Sequence, residues 1–469
     1  MFSRRECFAG IPYVFARAAA KPKRNVLFIA IDDLNDWVGC LGGYPGVQTP
    51  NLDQLASQGV LFRSAHCAAP LCNPARTAIL TGRLPAATGV YNNNQPYSRA
   101  VPLDGVITLN QHFKQSGYVT LGSGKIYHGT YGKFADRKGW DDYRVTKDRA
   151  RFTTPGPQAG QASQGHFDFG PTAGGDEEML DYETAGWVAG HLSRKQPAPL
   201  FLACGITKPH LAWHVPKKYF DLYPIDNISL PIVKADDLND IPPAGVRMAK
   251  QNRDHERITD AGAWRRAVQA YLASISFADA MVGRLLRALE TGPHAGNTTV
   301  MLWSDHGWHL GEKLHWRKFT LWERSTRNVL MIRSPGVTRP GGTCDSAVSM
   351  INLYPTLVEL EGLGPAGQQD GVSMMHLLAN PRAKWQRPVL TTYGRGNHAV
   401  RTGDLRLGWR YIRYRDGDEE LYDRSTDPNE WTNLAAKRES QARLELMRRL
   451  LPAVDAPDAP QAESDSTDV

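Results

Sequence analysis

The chain has 469 residues, of which 41% are hydrophobic and 22% charged, and its formal net charge is +7. This composition is typical of a soluble globular protein. No apolar run approaches the roughly 18 residues that cross a bilayer, and no block of lysine and arginine indicates a nucleic-acid-binding surface. The positive charge would help to collect an anionic substrate, although mild basicity is common and decides nothing by itself.

The first 20 residues are expected to form an export signal. Arg4 and Arg5 precede a short, mostly apolar stretch that ends in three alanines at 18–20. Paired arginines before an apolar segment and small residues are typical of cleaved targeting sequences. A proline and an arginine interrupt the stretch, so a start without this role is the alternative. We therefore expect a periplasmic or extracellular protein, and otherwise a cytoplasmic one.

Strands and helices are predicted to alternate along most of the chain. The apolar run at 25–31 has the composition of a buried strand and ends in two aspartates. Further strands are expected at 60–62, 118–121, 200–206, 298–303 and 329–332, and helices at 51–59, 74–82, 109–117, 179–195, 264–291 and 351–362. This order predicts an α/β fold whose large, mostly parallel or mixed sheet lies between layers of helices. Ligands of such sheets bind beyond the carboxyl ends of the strands.

Other regions of the chain lack this alternation. The segments 134–178 and 225–262 are rich in glycine, proline and polar residues, so we expect long surface loops that frame a substrate cleft. After about residue 385, short alternating runs predict a small antiparallel sheet followed by a helix near 434–451. The tail from Pro452 has a composition typical of disorder. The predicted units are an export signal (1–20), a main domain with the motifs below (21–384), an α+β subdomain (385–451) and a disordered tail (452–469).

The segment from Cys72 to Arg76 carries the strongest functional signal. It has the pattern C-x-P-x-R and is followed by T-G-R at 81–83. This combination resembles the signature of type I sulfatases in the alkaline phosphatase superfamily, and further matches extend over most of residues 24–435. The resemblance implies an alkaline phosphatase-like fold and a Cys72 that a maturation enzyme oxidises to formylglycine. Arg76 would hold this group or the carboxylates that bind a metal. A helix beginning at Pro74 would also place Cys72 beside free N–H groups that favour an anion.

Two acidic motifs at predicted strand ends indicate a metal site. Asp32 and Asp33 resemble the family's first metal pair, and Asp305 and His306 resemble its second. Carboxylate oxygens with one imidazole suit Ca²⁺ or Mg²⁺ better than zinc. The family usually holds calcium, which the formylglycine from Cys72 would also contact. Any one aspartate could be a helix cap or loop residue, but four such residues at two strand ends favour the metal site.

Three further matches supply basic residues for a sulfate pocket. They are a G-K-x-x-H segment containing Lys125 and His128, a K-P-H segment ending in His210, and a W-x-K segment ending in Lys318. The resemblance assigns Lys125, His210 and Lys318 to the sulfate oxygens. In the implied mechanism, His210 protonates the leaving alcohol and His128 assists the release of sulfate from the formylglycine hydrate. Each residue alone would be a surface lysine or a structural histidine.

The particular residues found within these motifs resemble those of the iduronate-2-sulfatase branch of the family. The run D-D-L-N at 32–35 and the histidine at 306 belong to this resemblance. It implies a sulfated sugar or polysaccharide as substrate. In such a fold the segment 397–402 would face the cleft, where His398 and Arg401 could bind a uronate carboxylate or a second sulfate. A satisfied strand histidine and a surface arginine are the alternative.

Two other functions remain open from the sequence. A phosphodiesterase or phosphonate monoester hydrolase would share the fold and, in some cases, the same C-x-P-x-R pattern. A carbohydrate-binding protein that has lost catalysis would be expected to lack the cysteine or part of the metal set. Both are present here, which favours an enzyme.

Overall fold

The computed structural model describes residues 23–129, 134–145 and 158–462. Its strands are β1 (Asn25–Ile31), β2 (Val60–Phe62), β3 (Ala65–His66), β4 (Val119–Gly124), β5 (Asp142–Arg144), β6 (Phe169–Thr172), β7 (Leu200–Ile206), β8 (Trp213–Pro216), β9 (Thr298–Ser304), β10 (His309–Leu310), β11 (Trp316–Arg317), β12 (Arg327–Asn328), β13 (Leu330–Arg333), β14 (Gly342–Cys344), β15 (Val348–Ser349), β16 (Val389–Thr392), β17 (His398–Arg401), β18 (Trp409–Arg413) and β19 (Glu419–Asp423). Its α-helices are α1 (Pro50–Gln58), α2 (Cys72–Thr81), α3 (Pro85–Thr88), α4 (Leu109–Gln115), α5 (Leu180–Leu192), α6 (Lys217–Phe220), α7 (Pro243–Lys250), α8 (Asp254–Asp260), α9 (Trp264–Thr291), α10 (Glu323–Thr326), α11 (Leu353–Glu361), α12 (Met375–Ala379) and α13 (Gln441–Arg448). The export signal expected at 1–20 lies outside the described residues. Within these three ranges, no helix has the length and apolarity of a membrane span.

An eight-stranded sheet forms the centre of the molecule. Its strand order is β14-β2-β13-β9-β1-β7-β4-β5. β13 runs antiparallel to both of its neighbours, and the other pairs are parallel. The predicted α/β fold with a large mixed sheet is therefore confirmed. β1 lies near the middle and every one of its residues is buried, as expected for an apolar strand covered on both faces.

Alternate residues of β1 anchor the two helical layers. Leu27, Ile29 and Ile31 pack into a core with α1, α5 and α9, while Phe28 and its even-numbered neighbours pack against α2, α4 and α11. This division follows from the two-residue period of a strand. Each large apolar side chain buried in this way contributes about 1.5–3 kcal/mol to the hydrophobic term. β1 thereby fixes the position of α2 and α9, the helices that approach its carboxyl end.

The C-terminal region contains the predicted small antiparallel sheet. Its strands follow chain order, β16-β17-β18-β19. Leu444 and Met447 of α13 pack on one face, against Val400 and Tyr411. The other face packs against α7 and Trp322. The sheet is therefore covered on both sides, which bears on the residues expected to reach a substrate from it.

Two expectations about loops need correction. The region 225–262 contains α7 and α8 rather than only surface loops, and the described part of 134–178 contributes β5 and β6. α7 begins with a proline at its first turn, where a missing N–H costs nothing. Its buried alanines pack beneath the C-terminal sheet. Tertiary packing therefore stabilises a short segment whose composition favoured a loop.

The tail is ordered along the part that the structure describes, and the prediction of disorder is wrong for residues 452–462. Ala456 N donates to Ala86 O at 2.7 Å, and Ala459 N donates to Gly89 O at 2.8 Å. Gly89 has a φ of 77°, and a Cβ there would come within 2.0 Å of Pro457 O. Glycine is needed at this position because the tail passes so closely. Backbone and side-chain hydrogen bonds, rather than a large apolar surface, hold the segment in place.

Candidate active site

Four of the predicted metal-binding side chains meet where two neighbouring strands end. Asp32 and Asp33 follow β1, and Asp305 and His306 follow β9. The last residues of these strands pair in a parallel register, so the residues after them lie side by side. Asp33 N donates to Asp305 Oδ1 at 3.1 Å, and all four side chains are buried. The structure therefore brings together the two acidic motifs as predicted.

Cys72 is the first residue of α2 and faces these four side chains. Its Sγ lies 3.4 Å from His306 Nε2 and 3.9 Å from Asp33 Oδ1, and the residue is 1% exposed. The helix begins two residues earlier than predicted, so Cys72 lies inside its first turn. Asn73 N–H already donates to a side chain at 3.0 Å, and Pro74 has no N–H. The helix start therefore offers an anion fewer free N–H groups than expected.

Arg76 lies one helical turn after Cys72 and joins the two acidic motifs. Its Nη2 is 2.8 Å from Asp32 Oδ1, and its Nε is 2.9 Å from Asp305 Oδ2. Another N–H donates to the carbonyl of Lys125. Burial would lower the pKa of Arg76, but the two carboxylates raise it above its usual value. These contacts correspond to the second of its two predicted roles, the orientation of metal-binding carboxylates.

Two lysines point into the same group. Lys318 Nζ lies 2.9 Å from Cys72 Sγ and 2.8 Å from Asp33 Oδ1. Lys125 Nζ lies 2.7 Å from Asp32 Oδ2. Burial would lower the pKa of Lys318, but Asp33 and Cys72 raise it above its usual value, so its ammonium group stays charged. The structure thus places both predicted lysines against the aspartates that follow β1.

The backbone around Lys318 is bent in an uncommon way. Arg317 has a φ of 71° and Phe319 a φ of 77°, in the left-handed region that disfavours side chains with a Cβ. Residues in this region carry a conformational cost of about 1–3 kcal/mol and are often found at functional sites. The bend directs Lys318 toward Cys72. The next residue, Phe319, lies beside the segment that leads to Cys72, where its N–H donates to Pro70 O at 3.3 Å.

The predicted histidines occupy two loops at the edge of the site. His210 Nε2 is 3.9 Å from Asp33 Oδ2, and its Nδ1 is 2.6 Å from Leu211 O. A carbonyl only accepts hydrogen bonds, so Nδ1 carries a proton and Nε2 is the atom free to exchange one. Burial lowers the pKa of His210, and Asp33 opposes this. His128 is buried, with its ring edge-on to Phe134 at 5.3 Å.

The donor set fits a hard divalent cation. One ligand atom from each of Asp32, Asp33, Cys72, Asp305 and His306 lies within 4.8 Å of all the others. Asp33 Oδ2 is buried and accepts no hydrogen bond from the described residues. Burial, reinforced by the other two aspartates, raises the pKa of Asp305, whereas burial lowers that of His306 to about 3. A cation would relieve the repulsion among the carboxylates and bind a neutral imidazole.

The two substrate-binding residues expected in the C-terminal sheet are enclosed by protein. Arg401 is 1% exposed; its guanidinium lies 3.7 Å from Glu323 and donates to the carbonyls of Thr402 and Asp404. His398 Nε2 is 3.1 Å from Asp455 Oδ2 in the tail, and its Nδ1 contacts a threonine. The expectation that these residues bind substrate is therefore corrected. Their face of the sheet is covered by segments that the local sequence does not reveal.

Sequence reasoning missed two residues that support the site. Lys208, in the K-P-H segment, donates from its Nζ to two backbone carbonyls, and burial lowers its pKa to about 8. Tyr271 of α9 donates to Asp33 O at 2.8 Å and accepts from Asn35 N at 3.0 Å. It thereby supports the left-handed backbone of Asp33, whose φ is 57°. The motif match could have indicated Lys208, but Tyr271 is 238 positions from its partner and has no local signal.

Comparisons with known proteins agree on one family. The profile of the Sulfatase family matches residues 24–363, and that of N-sulphoglucosamine sulphohydrolase, C-terminal, matches residues 311–455. A protein named Sulfatase from Formosa agariphila is 38% identical over 456 residues, covering 92% of this chain and 87% of that protein. Iduronate 2-sulfatase of Mus musculus is 32% identical over 384 residues, covering 72% and 69%. The solved phosphonate monoester hydrolase of Silicibacter pomeroyi shares the fold, with a TM-score of 0.76 and 20% identity over 91% of this chain and 94% of that one.

Proposed function

The chain belongs to the sulfatase family and hydrolyses sulfate esters, and from this premise we propose that its substrate is a sulfated sugar attacked by a nucleophile made from Cys72. The observation that carries the proposal is the position of Cys72 Sγ, 2.9 Å from Lys318 Nζ and inside the five-residue donor set. The similarity to a protein named iduronate 2-sulfatase supports a sugar substrate.

We further propose that a maturation enzyme converts Cys72 to formylglycine and that the donor set holds Ca²⁺, with Mg²⁺ as the alternative. Hydrated formylglycine would supply a hydroxyl nucleophile, and the cation would supply positive charge beside it. Burial raises the pKa of the Cys72 thiol well above its usual value. An unmodified Cys72 would therefore be a neutral thiol and a weak nucleophile, which supports the modification.

The basic residues would compensate the charge of the substrate. A sulfate ester carries a negative charge on oxygens that repel an approaching nucleophile. Arg76 is already engaged by two aspartates, so Lys125 and Lys318 would contact the sulfate oxygens. In a buried site, removal of one such preorganised donor typically lowers kcat by about 10²–10³-fold.

Two histidines would move the protons. The net reaction adds water across the bond between oxygen and sulfur and releases an alcohol, sulfate and a proton. His210 would protonate the leaving alcohol from Nε2 in its imidazolium form, which the neighbouring Asp33 carboxylate favours, while Nδ1 keeps its proton on the carbonyl of Leu211. His128, in the loop that also carries Lys125, would accept a proton during the release of sulfate. Both side chains lie in loops that follow strands of the large sheet.

The alternative function is hydrolysis of phosphonate monoesters or phosphodiesters. The fold shared with the Silicibacter pomeroyi hydrolase favours its consideration, although 20% identity supports likeness of fold alone. Measurement of kcat/KM on matched aryl sulfates and aryl phosphonates decides between the two. We expect the sulfate ester to be preferred, and a higher kcat/KM for the phosphonate would overturn our assignment.

Two experiments test the proposed chemistry together. Peptide mass spectrometry of the Cys72 segment, after expression with a formylglycine-generating enzyme, should reveal an aldehyde in place of the thiol. A panel of defined sulfated mono- and disaccharides should then identify the substrate by release of sulfate. An active enzyme whose Cys72 is wholly an unmodified thiol would refute the formylglycine proposal.

We also propose that the chain is exported, on the basis of the arginine pair and alanines in residues 1–20. Fractionation of the native host should recover the protein outside the cytoplasm, shortened near residue 20. Replacement of Arg4 and Arg5 by lysine should retain the full-length chain inside the cell. A full-length cytoplasmic protein in the wild type would contradict export.

A further inference from the structure

A second cavity opens at the junction of the two domains. Its volume is about 600 Å³, within the range typical of sites for small ligands. The end of α7 and the turns that follow β16 and β18 form its walls. We call it the Tyr393 cavity; its polar lining consists of Arg247, Gln251, Tyr393, Asn397, Arg415 and Asp416.

Aromatic side chains connect this cavity to the nucleophile. The ring of Tyr393 lies 6.2 Å from the ring of Phe319. Lys318 Nζ, which contacts Cys72, lies 5.8 Å from that same Phe319 ring. Phe319 also donates its N–H to Pro70 O at 3.3 Å. The ring of Phe319 therefore connects Tyr393 of the cavity to the segment that carries Lys318.

The left-handed backbone of Phe319 also determines where its ring lies relative to Tyr393. A φ of 77° is unfavourable for a bulky residue, and it is retained where the surroundings require it. The bend places Lys318 on the catalytic side and the Phe319 ring on the side of Tyr393. A ligand extending out of the catalytic centre would pass along these two rings.

The lining of the cavity offers three kinds of contact that suit a sugar. Tyr393 presents a half-buried aromatic ring for the apolar face of a sugar. The amide of Gln251 can donate to a sugar hydroxyl through its nitrogen, while its oxygen lies 3.5 Å from the Tyr393 hydroxyl; the Asn397 amide already donates to Tyr393 O and accepts from Arg415 N, both at 3.0 Å. Arg415 is exposed and supplies a guanidinium group, the side chain best suited to bind a carboxylate or sulfate through two N–H groups.

The two arginines of the cavity differ in their pairing. Arg247 Nη2 is 2.9 Å from Asp416 Oδ2. Arg415 has no carboxylate within 4.0 Å among the residues that the structure describes. Its backbone N–H donates to Asn397 Oδ1 at 3.0 Å, which fixes the start of its side chain. Arg415 is therefore the arginine of the cavity without an ion pair among the described residues, because the lining carboxylate, Asp416, is paired with Arg247.

We propose that the Tyr393 cavity binds the sugar residue next to the one that is desulfated, and that Arg415 binds an anionic group on that sugar. The inference rests on the proposed function, because it takes the substrate to be a sulfated glycan. It assigns the recognition of a second acidic group to Arg415, in place of Arg401, which is enclosed by protein. The anionic group is a carboxylate or a second sulfate, and the test separates these.

The test compares three substrates that share the same sulfated sugar. One is the monosaccharide, one is a disaccharide whose second sugar is a uronate, and one is a disaccharide whose second sugar carries a sulfate instead. In Arg415→Ala, we expect kcat/KM for an acidic disaccharide, divided by kcat/KM for the monosaccharide, to fall about tenfold, mainly through KM. The disaccharide that shows the fall identifies the anionic group. Arg415→Lys should recover part of the ratio.

Matched controls distinguish the subsite from a general effect. Arg438→Ala removes another exposed arginine and should leave the ratio unchanged. Tyr393→Ala should lower kcat/KM for both disaccharides relative to kcat/KM for the monosaccharide, because the Tyr393 ring would contact the second sugar itself rather than its charged group. A ratio that stays constant in Arg415→Ala for both disaccharides would overturn the proposal.

A binding measurement separates this inference from the proposed function. Calorimetry with the full-length Cys72→Ala protein, which should not turn the disaccharide over, gives Kd with and without Arg415→Ala. About tenfold weaker binding on loss of Arg415 supports the subsite even if no sulfate ester is hydrolysed by the mature enzyme, an outcome that would refute the proposed function alone. If the monosaccharide is hydrolysed and the Kd values with and without Arg415→Ala are equal, the proposed function stands and the subsite proposal is refuted.

Discussion

Two clusters of buried charge differ in how far the protein alone satisfies them. The C-terminal cluster consists of Glu323, Glu430, Arg401, Arg410 and Arg424. Both carboxylate oxygens of Glu323 face arginines, the nearer one Arg410 and the other Arg424 at 3.5 Å. Glu430 lies 2.6 Å from Arg410 and also accepts the N–H of Glu323 at 2.9 Å. Every carboxylate oxygen of this cluster therefore faces an arginine nitrogen or a backbone N–H, although Glu323 Oε1, Glu430 Oε1 and the Nε atoms of the three arginines make no hydrogen bond among the described residues.

The second cluster, which we call the catalytic cluster after its proposed role, is formed by Asp32, Asp33, Asp305, Arg76 and Lys318, and it differs at Asp33. Asp33 Oδ2 is buried without a hydrogen bond from the described residues, and its contact with His210 is 3.9 Å long. Lys318 is directed at a cysteine as well as at a carboxylate. The two clusters therefore differ in the charge that faces the carboxylates: those of Glu323 and Glu430 face arginines, whereas Asp33 Oδ2 faces only a histidine at 3.9 Å, within a donor set that could hold a metal ion.

The largest expected effect comes from the residue that the catalytic cluster surrounds. Cys72→Ala should lower kcat by about 10⁴-fold or more, because the nucleophile is lost while the binding residues remain. Release of sulfate, measured at saturating substrate, checks this. Cys67→Ala removes an equally buried thiol and should keep its activity. Similar losses in both variants would show that the thiols serve packing rather than chemistry.

Removal of one charge from the C-terminal cluster should lower the stability of the protein rather than its activity. Glu323→Gln leaves three arginines with one buried carboxylate fewer, and should lower the free energy of unfolding by about 3–5 kcal/mol. Urea denaturation measures this, with Glu439→Gln, an exposed site, as the control. The folded fraction should retain its kcat. A variant with reduced kcat and an unchanged denaturation midpoint would place Glu323 in the active site.

Calcium should act on one cluster only. Removal of the ion with a chelator should lower the melting temperature, and Ca²⁺ at 100 times its Kd should restore about 2.7 kcal/mol. Differential scanning calorimetry provides the readout. Glu323→Gln should show the full calcium response, and Asp33→Asn a much smaller one. Identical melting curves with and without calcium in the wild type would argue against the metal site.

The smallest effect concerns pH and the histidine beside the C-terminal cluster. Burial lowers the pKa of His66 well below its usual value; Glu323 opposes this, and Arg410 and Arg401 reinforce it. The unfolded chain binds its proton near pH 6.5, so this contribution to stability is complete above that pH and decreases as pH falls. Between pH 6.5 and 5.5 the unfolding free energy should fall by about 1.0 kcal/mol through this group, because the unfolded histidine is already half-protonated at pH 6.5. His66→Gln should show a shallower slope in denaturation series, and an equal slope would exclude the assignment.

The same contrast explains what the sequence could predict. The long apolar runs of β1 and β9 can be predicted as strands from the local sequence, because a strand that is buried on both faces is apolar along its whole length. The residues of the catalytic cluster were predictable because each belongs to a short motif beside a strand or helix end. The parallel register of β1 and β9 then brings them together.

Features that depend on distant parts of the chain were not predictable. α7 is short and begins with proline, and its stability comes from packing beneath the C-terminal sheet. Arg401 lies on a strand that was predicted, but the sequence does not show that Glu323 covers it. The alternation of a strand indicates which side chains share a face, and only the tertiary structure shows what that face meets.

Hydrogen bonds link the tail to the surroundings of Cys72. Asn73, the neighbour of Cys72, donates to Gln95 O at 2.7 Å. The amide of Gln95 in turn donates to Ala459 O at 3.0 Å, across 364 positions of sequence. Two hydrogen bonds in series therefore connect the tail to the residue that follows Cys72. Removal of Ala459 would take away an acceptor of the Gln95 amide and thereby loosen the segment against which Asn73 is held.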